Sequence, residues 1–474
     1  MKIHFRLLAL FALLGSPLSR ANDAQTALQK FVSDPALKTA SIGFSLIPLT
    51  ESEQTEESDE GQEQGTLTVL HHNPDLALTP ASVQKAITTA TALQILGPDY
   101  RFTTKLYRSG EDLIIKGGGD PVLASTSVNV EFPAWHKALI EEGLTEIAGS
   151  LIADPSFFED RTTPNQWLWG DIGNYYGSGP SGLNFHRNSY QITFRPGSVG
   201  SSARLLSTYP RPPRVTFENH MKTGSSSSGD QGYAYVGPRR ELITLRGTVP
   251  SGGNFIIKGS LPNPPLSCVS AFQDFLEKKD FKVNRIKVQR DTKTKEENLL
   301  LTTESPSLAK LIIPPNQKSV NHNAECLFKA LSPQGTTLAA QKKLTNHWKN
   351  QGVNLNGFLA HDGSGLSPQN TLTARQTAEI LKLVSNSEHG AIFRASLPVS
   401  GRSGTLRSFG RGTAAEGRLT AKTGSMERVR AWAGYLRTKS GDRYAFTLLI
   451  NHYHASDSSV RSAAGRFLSQ LCSQ

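Results

Sequence analysis

The sequence is poor in cysteine and lacks the residue spacing that marks a phosphate-binding loop. Its 474 residues include only three cysteines, Cys268, Cys326 and Cys472. An odd and sparse set of this kind excludes a disulfide framework and allows one disulfide at most. The GGGD stretch at 117–120 lacks the Gly-Lys-Ser/Thr ending of a phosphate loop. We therefore interpret its glycines as a tight turn.

Long apolar runs are absent beyond the first residues of the chain. Lys2 and Arg6 precede an apolar run at 7–14, and the expected cleavage site follows Ala21. This pattern is typical of a secretory signal peptide and is too short to span a bilayer. We therefore expect residues 1–21 to be removed and the mature chain to be exported without a transmembrane segment. Its expected location is the periplasm, with at most loose association with the cell wall or the membrane surface.

The chain carries an excess of basic residues but no long basic run. Its formal net charge is +11, and three of those charges lie in 1–21, which leaves +8 on the expected mature chain. A positive excess favours anionic surroundings such as wall polymers, membrane surfaces or nucleic acid. Export argues against nucleic acid as a partner, and the scattered cations indicate a solvated basic surface.

The order of predicted elements indicates one α/β domain assembled from both ends of the chain, with a large β-rich insertion. Strand and helix patterns occupy 22–96 and return in 301–474, whereas short strands with glycine and proline turns dominate 97–300. An insertion of this length corresponds to one or two domains, and we expect two subdomains. The segment 50–65 holds seven acidic residues and no base, so we interpret it as a solvated loop between two strands.

Two patterns near the end of the chain predict secondary structure clearly. The apolar runs VRAWAGYLRT and RYAFTLLIN flank a KSGD turn, which predicts a β-hairpin. The final segment has apolar residues on one helical face, and these are Val460, Ala463, Ala464, Phe467, Leu468 and Leu471. Such a face also suits a membrane surface. Because its polar side has few cations, we expect the helix to pack against the hairpin sheet instead.

The stretch PASVQKAITTATAL at 80–93 places a serine three residues before a lysine at the start of a predicted helix. Ser82 and Lys85 would share one face of that helix. A serine hydroxyl needs a base to take its proton, and a lysine can be that base when burial or a nearby cation disfavours its charged form. By itself, the pattern favours the simpler interpretation of Ser82 as a helix cap.

Two further motifs change this interpretation. Ser319-Val320-Asn321 lies in KSVNHNAECLF, and Lys422-Thr423-Gly424 heads a predicted strand in LTAKTGSMERVRAWAGYL. The motifs S-x-x-K, S-x-N and K-T-G, in this order, are the signature of serine penicillin-binding enzymes and their β-lactamase relatives. Each motif is common, but the ordered set in an exported chain is not. Ser82 is therefore predicted to be a nucleophile.

The chain resembles the low-molecular-mass penicillin-binding proteins of the D-alanyl-D-alanine carboxypeptidase/endopeptidase type, the peptidase S13 family. Beyond the three motifs, the resemblance rests on KGGGDPVL, ADPSFFED, LNFHRNSYQITFRPG, HDGSGLSPQN and SGRSGTLRSFGRGTAAEGRLTAKTGSM. It implies an α/β (α+β) fold with a penicillin-binding/β-lactamase-like transpeptidase domain. Val320 departs from the family pattern at a position not expected to touch substrate, and the acidic 50–65 segment departs from it outside the motifs.

The resemblance implies a serine D,D-peptidase that acts on peptidoglycan stem peptides through an acyl-enzyme. Ser82 would attack the carbonyl of the penultimate D-alanine, with Lys85 as general base. Ser319 would relay the proton toward the leaving D-alanine. Asn321 would hydrogen-bond the acyl-side amide and help to hold Lys85. Lys422 would add positive potential that favours the neutral form of Lys85.

The resemblance also assigns the residues that would receive substrate. Thr423 and Lys422 would bind the terminal carboxylate, and Gly424 would leave room for substrate to lie along the strand. The backbone N–H groups of Ser82 and Ser425 would form the oxyanion hole. No metal or organic cofactor is implied, and β-lactam antibiotics would be covalent inhibitors.

Asp154 in ADPSFFED matches a family position that lines a pocket for the free amine of a diaminopimelate side chain. A carboxylate suits such an amine, and Phe158 would belong to the same pocket. The competing interpretation of Asp154 is an ordinary carboxylate at the end of a strand.

The sequence leaves the reaction itself partly open. The enzyme would cut the terminal D-Ala-D-Ala bond as a carboxypeptidase, D-Ala-diaminopimelate cross-links as an endopeptidase, or both. A β-lactamase of the same fold and a catalytically silent penicillin-binding sensor domain are the alternatives. The intact set of three motifs argues against the silent domain.

Overall fold

The computed structural model describes residues 17–49, 69–125 and 128–474. The acidic segment 50–65 lies outside the described residues, as do residues 1–16 of the predicted signal peptide. In the described ranges, no helix has both the length and the apolar character needed to cross a membrane.

Strands follow one another over residues 189–260, and helices follow one another over residues 308–396, in the described chain. The helices are α1 (Pro17–Val32), α2 (Gln84–Leu96), α3 (Val128–Glu141), α4 (Trp169–Ile172), α5 (Pro264–Glu277), α6 (Leu308–Leu311), α7 (Ile313–Gln317), α8 (Asn321–Ala330), α9 (Thr337–Asn350), α10 (Ala374–Ser385), α11 (Gly390–Ser396) and α12 (Asp457–Cys472). The strands are β1 (Ser41–Pro48), β2 (Leu70–His72), β3 (Thr103–Ser109), β4 (Asp112–Lys116), β5 (Glu146–Asp154), β6 (Ser189–Arg195), β7 (Arg204–Tyr209), β8 (Thr216–Asn219), β9 (Lys222–Gly224), β10 (Gln231–Tyr235), β11 (Leu242–Pro250), β12 (Phe255–Ser260), β13 (Lys282–Val288), β14 (Leu299–Glu304), β15 (Leu419–Met426), β16 (Val429–Arg437) and β17 (Arg443–Asn451).

A five-stranded sheet with the order β15-β16-β17-β1-β2 joins the two ends of the chain. Strand β1 pairs with β17 in antiparallel register, from Ser41 opposite Asn451 to Pro48 opposite Tyr444. Strands β16 and β17 are antiparallel neighbours, so the predicted hairpin is confirmed. The same sheet carries β15, the strand that contains the K-T-G motif.

Helices cover both faces of this sheet because its strands carry apolar residues on both sides. On one face, α1 and α12 share a core with Trp432 and Phe446, and the ring of Phe467 stacks on that of Phe31 with centroids 4.6 Å apart. Burial of each such side chain contributes about 1.5–3 kcal/mol. The prediction that the final helix packs against the hairpin sheet is confirmed. On the other face, α2, α8, α9 and α10 share a second core with Ala431 and the rest of that sheet surface.

The residues between β3 and β14 enclose a separate hydrophobic core. A five-stranded sheet with the order β13-β5-β4-β3-β14 is the largest sheet there, and two smaller sheets are ordered β10-β11-β8, with β9 beside β11, and β12-β6-β7. Strand β14 pairs with β3 as far as Glu304 opposite Thr103. That pairing keeps residues 299–304 in the sheet of the inserted region, so β14 spans the predicted boundary at residue 300.

The three cysteines are all free and all buried. The one disulfide that the sequence would allow therefore does not form in this fold. Across the described ranges, the side chains of His, Cys, Asp and Glu form no group of three or more that could hold a metal ion.

Candidate active site

Ser82 lies on a short 3-10 turn, Ala81–Val83, immediately before α2. Neither the turn nor the helix begins with a side-chain cap, and Ser82 does not act as one. Ala81 has a positive φ of 46°, a conformation that is uncommon for a residue with a side chain and that concentrates at functional sites. The helix-cap interpretation of Ser82 is therefore wrong in this structure.

Lys85 is completely buried and is held next to Ser82. Its Nζ atom donates to Ser82 Oγ at 2.8 Å and to the carbonyl oxygen of Ser364 at 2.5 Å. Helix α2 is buried from Gln84 to Leu93, so the lysine cannot reach bulk water. Burial lowers the pKa of Lys85 to about 7, against the opposing effect of the nearby Asp362 and Glu325 carboxylates.

The carbonyl that receives Lys85 belongs to a turn fixed by two buried carboxylates. Asp362 accepts from the backbone N–H groups of Gly365 and Ser367, each at 2.7 Å. Glu325 of α8 accepts from the N–H of Ser364 at 2.7 Å. Burial, followed by the charge of Asp362, raises the pKa of Glu325. The turn at 362–367 therefore positions Lys85, and the role of Glu325 was not predicted.

Lys422 and Ser319 form a second polar pair on the other side of the cleft. Lys422 Nζ donates to Ser319 Oγ at 3.1 Å and to the carbonyl oxygen of Thr423 at 2.6 Å. Burial, assisted by the positive charge of Lys85, lowers the pKa of Lys422 well below its usual value. Ser319 has a φ of +57°, which is another strained backbone at a motif residue.

Asn321 begins α8 and connects the second motif to the inserted region. Its Nδ2 atom donates to the carbonyl oxygen of Tyr176 at 2.7 Å. The Nζ atom of Lys85 bonds to the Ser82 hydroxyl and to the backbone carbonyl oxygen of Ser364. The predicted contact in which Asn321 helps to hold Lys85 is therefore not present in this structure. The side-chain amide of Asn321 is instead hydrogen-bonded to the inserted region, because the backbone of Tyr176 lies next to the start of α8.

Strand β15 presents the K-T-G motif along the edge of the sheet. Thr423 Oγ1 donates to Thr405 Oγ1 at 2.8 Å, and Ser425 is exposed. A Cβ atom on Gly424 would lie 2.4 Å from the carbonyl oxygen of Pro80. The absence of a side chain at Gly424 is therefore required by the turn that carries Ser82, a reason distinct from the predicted room for substrate.

A Gly424→Ala substitution is expected to push that turn away from β15. Overpacking of this kind costs about 1–3 kcal/mol, and the reaction of Ser82 with a penicillin should slow as the turn shifts. Thermal unfolding and the rate of covalent labelling would measure the two effects. Gly253→Ala is a matched control, since a Cβ there meets nothing within 4 Å. Unchanged stability and labelling in Gly424→Ala would contradict the assigned contact.

Ser82 opens into a cavity of about 840 Å³ that is walled by both parts of the chain. The catalytic motifs contribute Ser82, Ser319, Asn321 and Ser425. The opposite wall comes from the inserted region and contains Leu168, Asp171, Tyr175, Tyr176 and Tyr233. These five residues were not predicted, because they lie more than 70 residues from any motif in the sequence and have no local pattern that marks them.

The structure does not place the predicted amine pocket of Asp154 and Phe158 at the cavity of Ser82. Neither residue lines the cavity at Ser82, and both side chains are fully buried. Asp154 accepts from Thr292 Oγ1 at 2.5 Å, from the Thr292 N–H at 3.0 Å and from the Ser156 N–H at 2.9 Å. Burial tends to raise the pKa of Asp154, but these hydrogen bonds outweigh it and lower the pKa. The carboxylate is thus already satisfied within the protein, and Phe158 is a core residue.

The chain is similar to known proteins over nearly its whole length. The model of the family described as D-Ala-D-Ala carboxypeptidase 3 (S13) matches residues 24–471. A D-alanyl-D-alanine carboxypeptidase from an Actinomadura species is 27% identical over 93% of this chain and 83% of its own length. The crystal structure of penicillin binding protein 4 from Haemophilus influenzae has a TM-score of 0.77 at 21% identity, over 94% of this chain and 98% of that one.

A second structure of the Haemophilus influenzae protein, complexed with a β-lactam, has a TM-score of 0.74 at 20% identity and covers 95% of this chain and 98% of that one. These structures establish the fold, and the family match spans nearly the whole sequence. The chain therefore belongs to the D-Ala-D-Ala carboxypeptidase 3 (S13) family and is an enzyme of the serine-type carboxypeptidase class.

Proposed function

We propose that this enzyme hydrolyses the terminal D-Ala-D-Ala bond of peptidoglycan stem peptides through an acyl-enzyme on Ser82. The observation that carries the proposal is the 2.8 Å hydrogen bond between Lys85 Nζ and Ser82 Oγ. It joins a hydroxyl at a cavity wall to a buried amine whose pKa is about 7. A base with a pKa near the working pH combines a usable neutral fraction with adequate strength. The test is release of D-alanine from a pentapeptide that ends in D-Ala-D-Ala.

In the proposed acylation, neutral Lys85 accepts the proton of Ser82 as Oγ bonds to the carbonyl carbon of the penultimate D-alanine. The resulting oxyanion would accept hydrogen bonds from the N–H groups of Ser82 and Ser425. The carbon–nitrogen bond then breaks, and the leaving D-alanine amine takes a proton from Ser319, which regains one from protonated Lys85. Lys422, which donates to Ser319 Oγ, stabilises the negative charge that develops on Ser319 during this relay.

In the proposed deacylation, neutral Lys85 takes a proton from water as the water oxygen bonds to the ester carbonyl carbon, and it passes that proton to Ser82 Oγ as the carbon–oxygen bond breaks. The shortened peptide leaves with a new carboxylate. A penicillin would follow the first half of this route, forming a covalent adduct at Ser82 through opening of its lactam ring. The β-lactam complex of the Haemophilus influenzae relative supports this expectation.

Substrate would lie along β15 between the sheet edge and the start of α8. Thr423 and Lys422 would receive the terminal carboxylate, and the hydrogen bond from Thr423 to Thr405 fixes the orientation of the threonine hydroxyl. Asn321 would bind the acyl-side amide through its Oδ1 atom, since its Nδ2 atom is bonded to Tyr176. The cavity of about 840 Å³ has room for residues beyond D-alanine, which supports cleavage of cross-linked dimers as a second reaction.

We propose Asp171, in place of Asp154, as the partner for a free amine on the stem peptide. Asp171 lines the cavity of Ser82 and receives a hydrogen bond from Tyr176. Burial raises the pKa of Asp171, although the Tyr176 hydrogen bond opposes this. In the described part of the chain it forms no ion pair with Lys, Arg or His. A cationic substrate group would supply the missing charge.

An Asp171→Asn variant is expected to lose about 10- to 100-fold in kcat/KM on stem peptides with a free diaminopimelate amine, since a hydrogen bond to a charged group contributes about 1.5–3 kcal/mol. The same peptides with that amine acetylated are the control, and on them wild type and variant should be equal. Steady-state release of D-alanine measures both. A similar loss on the acetylated peptides would contradict recognition of the amine.

We further propose that the enzyme acts in the periplasm after removal of residues 1–21. The basic start and apolar run of that segment and the location of peptidoglycan outside the cytoplasm support this compartment. Amino-terminal sequencing of the mature protein would test it, with Asn22 as the expected first residue.

A further inference from the structure

A second cavity lies on the face of the sheet that α12 covers. It has a volume of about 570 Å³ and runs between α12 and residues 408–413, and we call it the α12 groove. Its lining consists of Ser408, Phe409, Gly410, Arg411, Thr413, Ser458, Arg461, Ser462, Gly465, Arg466, Ser469 and Gln470. None of these residues lines the cavity of Ser82, so the groove is separate from the catalytic site.

Three guanidinium groups line the α12 groove. Arg461 is half-buried, with its guanidinium 5.3 Å above the ring of Phe409 and a hydrogen bond of 3.1 Å to Ser408 Oγ. Among the described residues, no carboxylate lies within 4 Å of the guanidinium of Arg461 or Arg411. Burial, together with the positive charge of Arg430, lowers the pKa of Arg461. A partly buried guanidinium without a counter-charge lowers the stability of the folded protein, and a bound anion would offset this cost.

The charges in the groove define the anion that would fit. Arg466 is paired with Asp34 at 2.8 Å, which leaves the groove with two uncompensated positive charges on Arg411 and Arg461. A carboxylate would neutralise one of them, whereas a phosphate monoester carries about −1.5 to −2 charges and three acceptor oxygens. The hydroxyls of Ser462 and Ser469 lie on the same wall and add neutral donors.

The geometry points to the α12 groove as a binding site for a phosphate group, and we propose it as such. Guanidinium groups bind phosphate oxygens through paired hydrogen bonds. Gly465 lies between Arg461 and Ser469 on the α12 side of the groove, and its lack of a side chain leaves space there for a ligand. The phosphate would be either free in solution or the headgroup of an anionic lipid at a membrane surface.

The test uses the full chain and inorganic phosphate, titrated by calorimetry and by thermal unfolding against sodium chloride at equal ionic strength. Wild type is expected to bind phosphate and to unfold at a higher temperature with it. Arg461→Gln and Arg411→Gln should each weaken phosphate binding about 10- to 100-fold. Arg411 is exposed, so its variant tests the site even if Arg461→Gln reduces stability through lost contact with Phe409.

Arg285→Gln is the matched control, because Arg285 is an exposed arginine on β13 in the inserted region. It should bind phosphate as wild type does. Equal stabilisation by chloride and phosphate, or equal phosphate affinity in wild type, Arg411→Gln and Arg461→Gln, would overturn the proposal.

The source of the phosphate is distinguished by vesicles of phosphatidylcholine with and without phosphatidic acid. Sedimentation with phosphatidic acid vesicles that depends on Arg411 and is competed by inorganic phosphate would identify a lipid headgroup. Binding of inorganic phosphate without vesicle binding would identify a soluble phosphate. If wild type binds neither inorganic phosphate nor phosphatidic acid vesicles, the proposal fails.

Discussion

A Ser82→Ala variant is expected to form no covalent adduct with a fluorescent penicillin under conditions that label the wild-type enzyme fully. The substitution removes the only atom in the proposed mechanism that bonds to the acyl group, while the buried Lys85 and the cavity around it stay in place. Gel fluorescence and the mass of the intact protein would measure the adduct. The expected loss is complete, because no neighbouring group takes over the bond to carbon.

Ser364→Ala provides a matched control for this experiment. Ser364 belongs to the same site and is fully buried, but it contributes its backbone carbonyl to Lys85, and that group is unchanged by the substitution. Its variant should therefore still be labelled. Labelling of Ser82→Ala, or its loss in Ser364→Ala together with retention in Ser82→Ala, would overturn the assignment of the nucleophile.

A Lys85→Met variant is expected to acylate about 10²- to 10⁴-fold more slowly than wild type, the range that a positioned general base contributes. Methionine fills a similar volume without a proton acceptor of sufficient basicity. Lys329→Met is the control, since Lys329 is also a buried lysine on the neighbouring α8 but pairs with Glu159 at 3.1 Å. Stopped-flow acylation rates should separate the two, with Lys329→Met affected mainly in stability.

The same assignment fixes the pH dependence of acylation. With a pKa of about 7, Lys85 is mostly protonated below pH 7 and cannot accept a proton, and it is mostly neutral above pH 7. The wild-type acylation rate should therefore rise as the pH increases through about 7 and then level off, whereas Lys85→Met should show no such rise. A wild-type rate that falls over this interval would contradict Lys85 as the base.

The proximity of Ser82 to Lys85 and of Ser319 to Lys422 was predictable because each motif is local and the motifs occur in a fixed order. Ser82 and Lys85 are three residues apart on one helical face. Lys422 lies inside β15 (Leu419–Met426) rather than at its predicted head, and the hairpin neighbour of that strand has a clear apolar pattern. These positions depend on short-range structure. The structure adds the distances that connect them, such as 2.8 Å between Lys85 Nζ and Ser82 Oγ.

The wall of the Ser82 cavity that comes from the inserted region was not predictable, because it depends on contacts between residues far apart in the sequence. Asp171 lies on α4, a helix of four residues, and reaches the cavity only because the inserted region folds back on α8 through Tyr176 and Asn321. Asp154 appeared suitable because it matches a family position, but its carboxylate is bonded to Thr292, 138 residues away. Long-range pairing of this kind leaves no periodic pattern in the sequence.

The roles of the two buried carboxylates at the site also could not be predicted from the sequence. Glu325 reads in the sequence as one polar residue of α8, and Asp362 as part of a glycine-rich turn. Only the fold brings both to the backbone N–H groups that position the carbonyl of Ser364. The need for glycine at Gly424 likewise arises from a turn more than 340 residues earlier in the chain.

The most direct measurement is the list of products that the purified enzyme releases from peptidoglycan rich in pentapeptide stems, followed by mass spectrometry beside a penicillin turnover assay. We expect free D-alanine from wild type, none from Ser82→Ala, and a long-lived penicillin adduct in place of penicillin hydrolysis. Rapid hydrolysis of penicillin without any release of D-alanine would contradict this expectation and identify a β-lactamase.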